Sequence, residues 1–544
     1  MRVAEALGRA VAQLGVRDTF GLVGSGNFHL ANAMRASGVR FIAGRHETGV
    51  VTMADSYARA SGRLGVCTVH QGPGVTNAIT GLTEAAKSRT PLLLLAAEAT
   101  APLSNFFIDL DGVAKASGAA HYRIDEPATA IDQLARAAQL AVGERRTVLV
   151  SLPLEVQAAE CEAPDGVRPP VAAVARSAAP ADVEALARML AQARRPLILA
   201  GRGAVLAHAR KPLELLSDQT GALLATSAVA AGLFTGNPWN LGISGGFASP
   251  VVAELIQSSD LIVAFGASLN MWTTRRGHLI SRDTKVAQVD VDPAALGAHR
   301  AVDLRVMGDC AATAGAVSES LGAHHRSGWR SDDVQERIRH GGWRDEPFED
   351  MSGDGHIDPR ALSIALHGLL PAERTLAVDS GHFMGWPPMY MDVRDGGSFV
   401  FTQSFMSIGL GLATGIGAAI ARPDRLTVIA LGDGGTLMSL PELETLSRLA
   451  ADALVVIYND AAYAAEVHHF APEGAPMDTV RFPDTDFAAL ARSVGLEAAT
   501  VRSLADLEVV RDWLARGRPK PLLLDAKVVP TVVAEWLEEA FRGH

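Results

Sequence analysis

The stretch "LGDGGTLMSLPELETLSRLAADALVVIYND" runs from Leu431 to Asp460, and its reading decides the fold. Thr427 to Leu431 is an apolar run of strand length, Pro441 to Ala451 has helical spacing, and Ala453 to Tyr458 reads as the next strand. Strand, helix and strand in that order make a right-handed βαβ unit of a parallel sheet. Asp433 and Asn459 then leave the carboxyl ends of successive strands, the edge at which such sheets bind ligands. An acid among glycines suits neither a core nor a helix interior, and the motif alone reads equally as a glycine turn with Asp433 capping the next helix. One carboxylate oxygen and one amide oxygen do suit Mg²⁺ or Ca²⁺. Two side chains make no cage, so a diphosphate is the natural source of the remaining oxygens. Gly434 and Gly435 let backbone N–H groups approach it at a helix N-terminus.

The same rhythm extends outward. Apolar runs alternate with helical patterns at Thr19 to Val23, Val66 to Val69, Pro91 to Ala96 and Thr147 to Leu152. They continue at Pro196 to Ala200, Leu261 to Phe265 and Val286 to Val291, and again at Thr375 to Val378 and Pro521 to Leu524. Strands that are apolar throughout imply parallel sheets covered on both faces. The expectation is an α/β chain of three consecutive doubly wound parallel-sheet domains. Two polar connections, near residues 161–183 and 323–358, divide the chain into 1–160, 183–322 and 358–532. "AGRGAV" at Ala200 follows a strand and reads first as a tight turn, with a nucleotide site as the minor alternative.

Composition removes other classes. A net charge of −11 argues against nucleic acid and anionic membrane surfaces as partners. Cys67, Cys161 and Cys310 form no CxxC pair, which points to a reducing compartment without a zinc site or disulfide scaffold. "MRVAEALGRAVAQLGV" reads as a first helix, not a signal peptide, and Phe405 to Ala421, with four glycines, as a buried helix. The expected location is the cytoplasm.

Gly-Asp-Gly followed about 25 residues later by Asn459 resembles the thiamine-diphosphate motif of the superfamily containing acetolactate synthase, pyruvate decarboxylase, benzoylformate decarboxylase and benzaldehyde lyase. "AGRHETGVVTMADSYARASGRLGVCTVHQGPGVTNAITGLTEA" (Ala43 to Ala85) is similar to its pyrimidine-domain signature. "VDSGH", "SIGLGLATGIGAA" and "PDTDFAALARSVG" extend the likeness over nearly the whole chain, in the order pyrimidine-binding, central Rossmann-like and diphosphate-binding domains. Gly435 stands where a serine is frequent, and Asp460 where a second Asn is usual.

The resemblance implies the cofactors thiamine diphosphate and Mg²⁺, with Asp433, Asn459 and the carbonyl of Ala461 as metal ligands. Gly381, His382, Gly434 and Gly435 would meet the diphosphate, Ile408 would wedge the cofactor into its bent form, and the Met406 carbonyl would take its 4′-amino group. Glu47 would hydrogen-bond N1′ of the aminopyrimidine and favour its imino tautomer, a task that needs a carboxyl holding a proton near neutrality, as burial can arrange. Ser25, His70 and Glu466 fall where relatives carry active-site groups that move protons. Phe28, Phe107, Ile108 and His468 would line the substrate pocket. FAD is compatible with the outline of the central block but is not the favoured reading.

The implied activity is a carbon–carbon lyase or ligase acting on a 2-oxo acid, by decarboxylation to an enamine followed by aldehyde release or carboligation. Acetolactate synthase proper is the alternative, disfavoured because Ile108 and Ala120 replace its glutamine and lysine. A cofactor-binding homologue without catalysis is the other, opposed by the joint presence of Glu47, Asp433 and Asn459. The resemblance also implies a homodimer or dimer of dimers sharing cofactors at subunit interfaces.

Overall fold

A computed structural model describes the chain except residues 164–165, 324, 535 and 538–544, so short parts of both connections lie outside the described residues. Among the described residues, eighteen strands form three six-stranded sheets, and every strand pairing within them is parallel. The first sheet runs Arg40–Ala43, Asp18–Gly21, Gly65–Val69, Leu92–Glu98, Thr147–Pro153, Ala120–Arg123. The last runs Phe399–Phe401, Arg374–Val378, Leu426–Gly432, Ala453–Asn459, Leu522–Lys527, Glu497–Val501. Counted along the chain within each domain, both have the order 2-1-3-4-6-5. The middle sheet, from Asn240–Ile243 at one edge to Leu304–Met307 at the other, has the order 3-2-1-4-5-6 of dinucleotide-binding sheets.

The first and last domains share one core. Helix Glu47–Ser61 packs against helix Gly411–Ala421, and Val50, Met53 and Tyr57 join Leu412, Ile416, Ile429 and Leu443 in a single buried cluster. Gly417 permits that approach, because a Cβ there would lie 2.2 Å from the Met53 carbonyl oxygen. The apolar stretch Phe405 to Ala421 is therefore a loop and a short buried helix. Among the described residues no helix is long and apolar enough to cross a membrane.

The second connection is more ordered than its polar composition suggests. It contains helix Asp332–Arg339, with Val334 buried against the middle domain, and Trp343 donates its indole N–H to the Phe247 carbonyl at 2.8 Å. A few spaced apolar side chains suffice to seat it.

Candidate active site

Strand order in the last sheet reverses between Arg374–Val378 and Leu426–Gly432, and the residues singled out by sequence gather at their carboxyl ends. Asp433 opens helix Asp433–Ser439 and is buried; its carboxylate accepts from Gly434 N–H at 2.7 Å and Ala462 N–H at 3.2 Å. Burial pushes Asp433 up to about 6. Asp460 is raised well above the usual carboxylate range, by burial first and then by the charge of Asp433. A buried Asp433 and a half-buried Asp460, both held above the usual carboxylate range by burial first, have the oxygen-donor chemistry of a cation site. Among the described residues no cluster of three or more His, Cys, Asp or Glu could hold a metal ion.

Backbone geometry fits the same group. Ala461 has φ +57° and Met406 φ +62°, so both residues whose carbonyls the resemblance assigns to metal and cofactor are left-handed despite having a Cβ. That conformation costs roughly 1–2 kcal/mol for an L-residue and is kept where the surrounding structure demands it. A Cβ on Gly434 would lie 2.4 Å from the Tyr463 ring, and one on Gly435 2.7 Å from Asp379 Oδ2. The serine frequent at the latter position would thus require Asp379 to move. Asp379 is fully buried, pushed up to about 6 by burial, and accepts from the N–H groups of Ser380, Gly409 and Leu410. It anchors the loop of Met406 and Ile408, a role the sequence reading missed. The available signal was an acid ending an apolar strand, as at Asp433.

Gly381 has φ +137° and precedes His382, which is buried. His382 Nε2 accepts from Ala534 N–H at 2.9 Å, which leaves Nδ1 as the donor. Burial, then His468, pushes His382 down to about 3, so the ring is neutral. The His468 ring lies 4.5 Å from it and is itself lowered by burial. Glu466 shares helix Ala464–Phe470 with His468 and is half-buried, as is Ile408.

A second cluster lies at the corresponding point of the first sheet. Glu47 begins its helix with 8% exposure and accepts from Asn77 Nδ2 at 3.2 Å. His70 follows strand Gly65–Val69; its Nδ1 accepts from Gly26 N–H at 3.2 Å, so Nε2 carries the proton. Burial lowers His70, and the opposing effect of Glu47 places the two groups near each other. Ser25 is exposed in the turn that also supplies Gly26. Phe106, which the sequence reading passed over for Phe107, meets the His70 ring edge-on at 5.4 Å. Phe28 and Phe107 are exposed, while Ile108 packs partly into the core. Ala120 sits in strand Ala120–Arg123 against apolar neighbours, and His121 is turned to Ser151 Oγ at 2.7 Å. Within one chain these are two clusters: the loop carrying Glu47 meets the last domain through Glu442, whose carboxylate accepts from Arg45 and His46 N–H.

A separate cavity of about 1330 Å³ opens at the order reversal of the middle sheet, between the ends of Pro196–Ala200 and Leu261–Phe265. Gly203 and Gly266 line it with Arg59, Arg145, Arg202 and Arg300. "AGRGAV" is thus more than a turn: it opens helix Arg202–Leu206 on this cavity. Arg202 is pushed down to about 10 by burial and then by the charge of Arg59. The wall is strongly cationic and reaches Gln403 and Met406 beside the last domain.

Three successive segments match families of known proteins. Residues 1–124 match the thiamine pyrophosphate enzyme N-terminal TPP binding domain, 183–317 the central domain and 379–526 the C-terminal TPP binding domain. The chain is 30% identical to the Pseudomonas aeruginosa protein named "Probable 2-ketoarginine decarboxylase AruI", over 93% of this chain and 91% of that one. It is 26% identical to the Escherichia coli acetolactate synthase isozyme 2 large subunit, covering 97% and 96% of the two chains. It is also 27% identical to a Rhodobacter capsulatus sulfoacetaldehyde acetyltransferase, covering 100% and 96%. With three parallel sheets in this order and two glycine-flanked strand ends carrying the expected acids, the chain belongs to the thiamine pyrophosphate-dependent enzyme family.

Proposed function

We propose that this protein is a thiamine-diphosphate- and Mg²⁺-dependent enzyme that decarboxylates a 2-oxo acid and releases an aldehyde or joins the remaining fragment to a second carbonyl compound. The observation that carries this reading is the buried Asp433 carboxyl group with half-buried Asp460, beside buried Asn459 and the left-handed Ala461. Bound thiamine diphosphate supplies carbanion stabilisation.

The chain's own residues do the rest. Asp433, Asn459 and the Ala461 carbonyl hold Mg²⁺. Gly381, His382 through Nδ1–H, Gly434 and Gly435 receive the diphosphate. The Met406 carbonyl and the Ile408 side chain orient the pyrimidine end. Glu47 manages the proton at the pyrimidine nitrogen. His70, neutral and with Nε2–H directed away from its Gly26 contact, gives or takes a proton at the substrate, and Glu466 does so from the other cluster. Ser25 assists at the first cluster, and Phe28, Phe107, Ile108 and His468 shape the substrate pocket. As the family resemblance implies, a cofactor is shared between two subunits of a homodimer or dimer of dimers, with Glu47 of one and Asp433 of the other at each site.

An apolar Ile108 and Ala120 offer no amide or ammonium to a second substrate, which disfavours acetolactate synthase proper. A second reading concerns the middle cavity, whose arginines and volume suit a nucleotide-sized anion, FAD being one candidate. The deciding assay supplies a panel of 2-oxo acids with Mg²⁺ and thiamine diphosphate and follows carbon dioxide and organic products together. Turnover of none, with cofactor bound, rejects catalysis in favour of a non-catalytic homologue. Flavin absorbance of the purified protein and titration with adenine nucleotides test the cavity.

A further inference from the structure

An asparagine can turn either end of its amide towards a cation, and only the oxygen binds one. In this protein the choice is already made. Asn459 Nδ2 lies 2.8 Å from Asp525 Oδ1 and 3.4 Å from the Thr485 carbonyl oxygen. Both are acceptors, so only the NH₂ end satisfies them, and the oxygen is left on the side where Ala461 N–H reaches it at 3.2 Å.

Asp525 is itself over-determined. It is fully buried in strand Leu522–Lys527, which pairs directly with the strand ending on Asn459. Its other oxygen accepts from Phe487 N–H at 3.2 Å and faces the Lys527 ammonium at 3.0 Å. Lys527 is 3% exposed and also bonds Asp484 and the Thr485 carbonyl. A buried acid with a buried lysine is a poor way to fill a strand that packs against Ala453–Asn459, where apolar residues would serve at lower cost. Its position between three donors makes sense as a rigid acceptor for the amide.

We propose that Asp525 is a positioning residue for the metal: its carboxylate, braced by Lys527 and Phe487 N–H, fixes the Asn459 amide with oxygen towards the divalent cation. The proposal rests on Asn459 being a metal ligand. Outer-shell partners of this kind change metal affinity by about 10–100-fold.

The test is a double-mutant cycle with Asn459→Asp, whose two oxygens make orientation irrelevant. Binding of Mn²⁺ to the full chain in the presence of thiamine diphosphate is read from the paramagnetic resonance of the free ion, with thermal unfolding in parallel. Asp525→Asn is expected to weaken Mn²⁺ binding about 10–100-fold in the natural background. In the Asn459→Asp background it should leave Mn²⁺ binding equal or tighter, because an amide then replaces one of two facing carboxylates. An equal loss in both backgrounds would make Asp525 a structural residue and overturn the proposal, as would no loss in either. If the single Asp525→Asn variant does not fold, Asn459→Asp against the double variant decides alone, and a weaker double variant overturns the proposal. Asn459→Ala separates the two ideas. If it loses Mn²⁺ while Asp525→Asn does not, only the positioning role falls; if it keeps full affinity, the ligand assignment falls and the positioning role with it.

Discussion

Glu84 and Glu442 do the same work in opposite directions. Glu442, from the last domain, accepts at 2.9 Å from the backbone N–H groups of both Arg45 and His46, just before Glu47. Glu84, from the first domain, accepts from Ser404 N–H at 3.0 Å and Phe405 N–H at 2.6 Å, just before Met406. Each buried carboxylate satisfies backbone donors at the approach to the other domain's central helix. The loop carrying Glu47 and the loop carrying Met406 are thus fixed by inter-domain packing. Exposed Phe28, Phe106 and Phe107 on one cluster, and Phe405, Met406 and Met438 on the other, leave apolar surface for a second chain to cover.

That arrangement makes complementation a direct test of assembly. Glu47→Ala and Asp433→Ala variants should each be inactive. Mixed under subunit exchange, they should recover a fraction of activity, because one shared site regains both residues. An active monomer in sedimentation contradicts this.

Metal and cofactor binding should fail together. Asp433→Ala removes a ligand outright, so calorimetry should show a loss of thiamine diphosphate affinity exceeding the ~10–100-fold typical of an outer-shell change. The protein should remain folded, since burial already holds Asp433 above the usual carboxylate range and its removal relieves that cost.

Proton handling divides the acids and the histidine by stage. Glu47→Gln should slow exchange of the cofactor C2 proton and every later step equally. His70→Ala and Glu466→Gln should leave that exchange near normal yet lower turnover by ~10²–10⁴-fold, the usual contribution of a general acid or base. Proton exchange by NMR beside steady-state rates separates the two patterns. Normal turnover in both variants would remove His70 and Glu466 from the mechanism.

His382 gives a pH dependence with a defined sign. Its folded-state value is pushed down to about 3 from 6.5, so between those limits the unfolded chain binds a proton that the folded chain refuses. Its contribution is full above about 6.5 and lost as pH falls through the window, by about 1.4 kcal/mol per unit. Denaturant unfolding at neutral pH and near pH 5 should therefore show a smaller acid loss for His382→Gln, by up to about 2 kcal/mol. Identical slopes would mean that the ring is protonated when folded.

The sequence by itself determined the central strands. Leu261–Phe265 and Pro196–Ala200 are apolar at every position because both faces are covered, so they were legible to the residue. Asp433 and Asn459 stood out because an acid and an amide end apolar strands there. The strands that escaped reading are mostly the six sheet edges, Arg40–Ala43, Ala120–Arg123, Asn240–Ile243, Leu304–Met307, Phe399–Phe401 and Glu497–Val501, each only three to five residues long. Leu223–Thr226 is interior yet only four residues long, too brief to stand out. Tertiary structure alone decided which residues meet. It set Asp379 under the Met406 loop, Asp525 against the Asn459 amide and Ala534 on His382, pairs far apart in sequence. It also put the Arg45 and His46 N–H groups, just before Glu47, on the Glu442 carboxylate. Local patterning fixes where a strand ends, but only sheet order and the shared core fix which strand ends lie together.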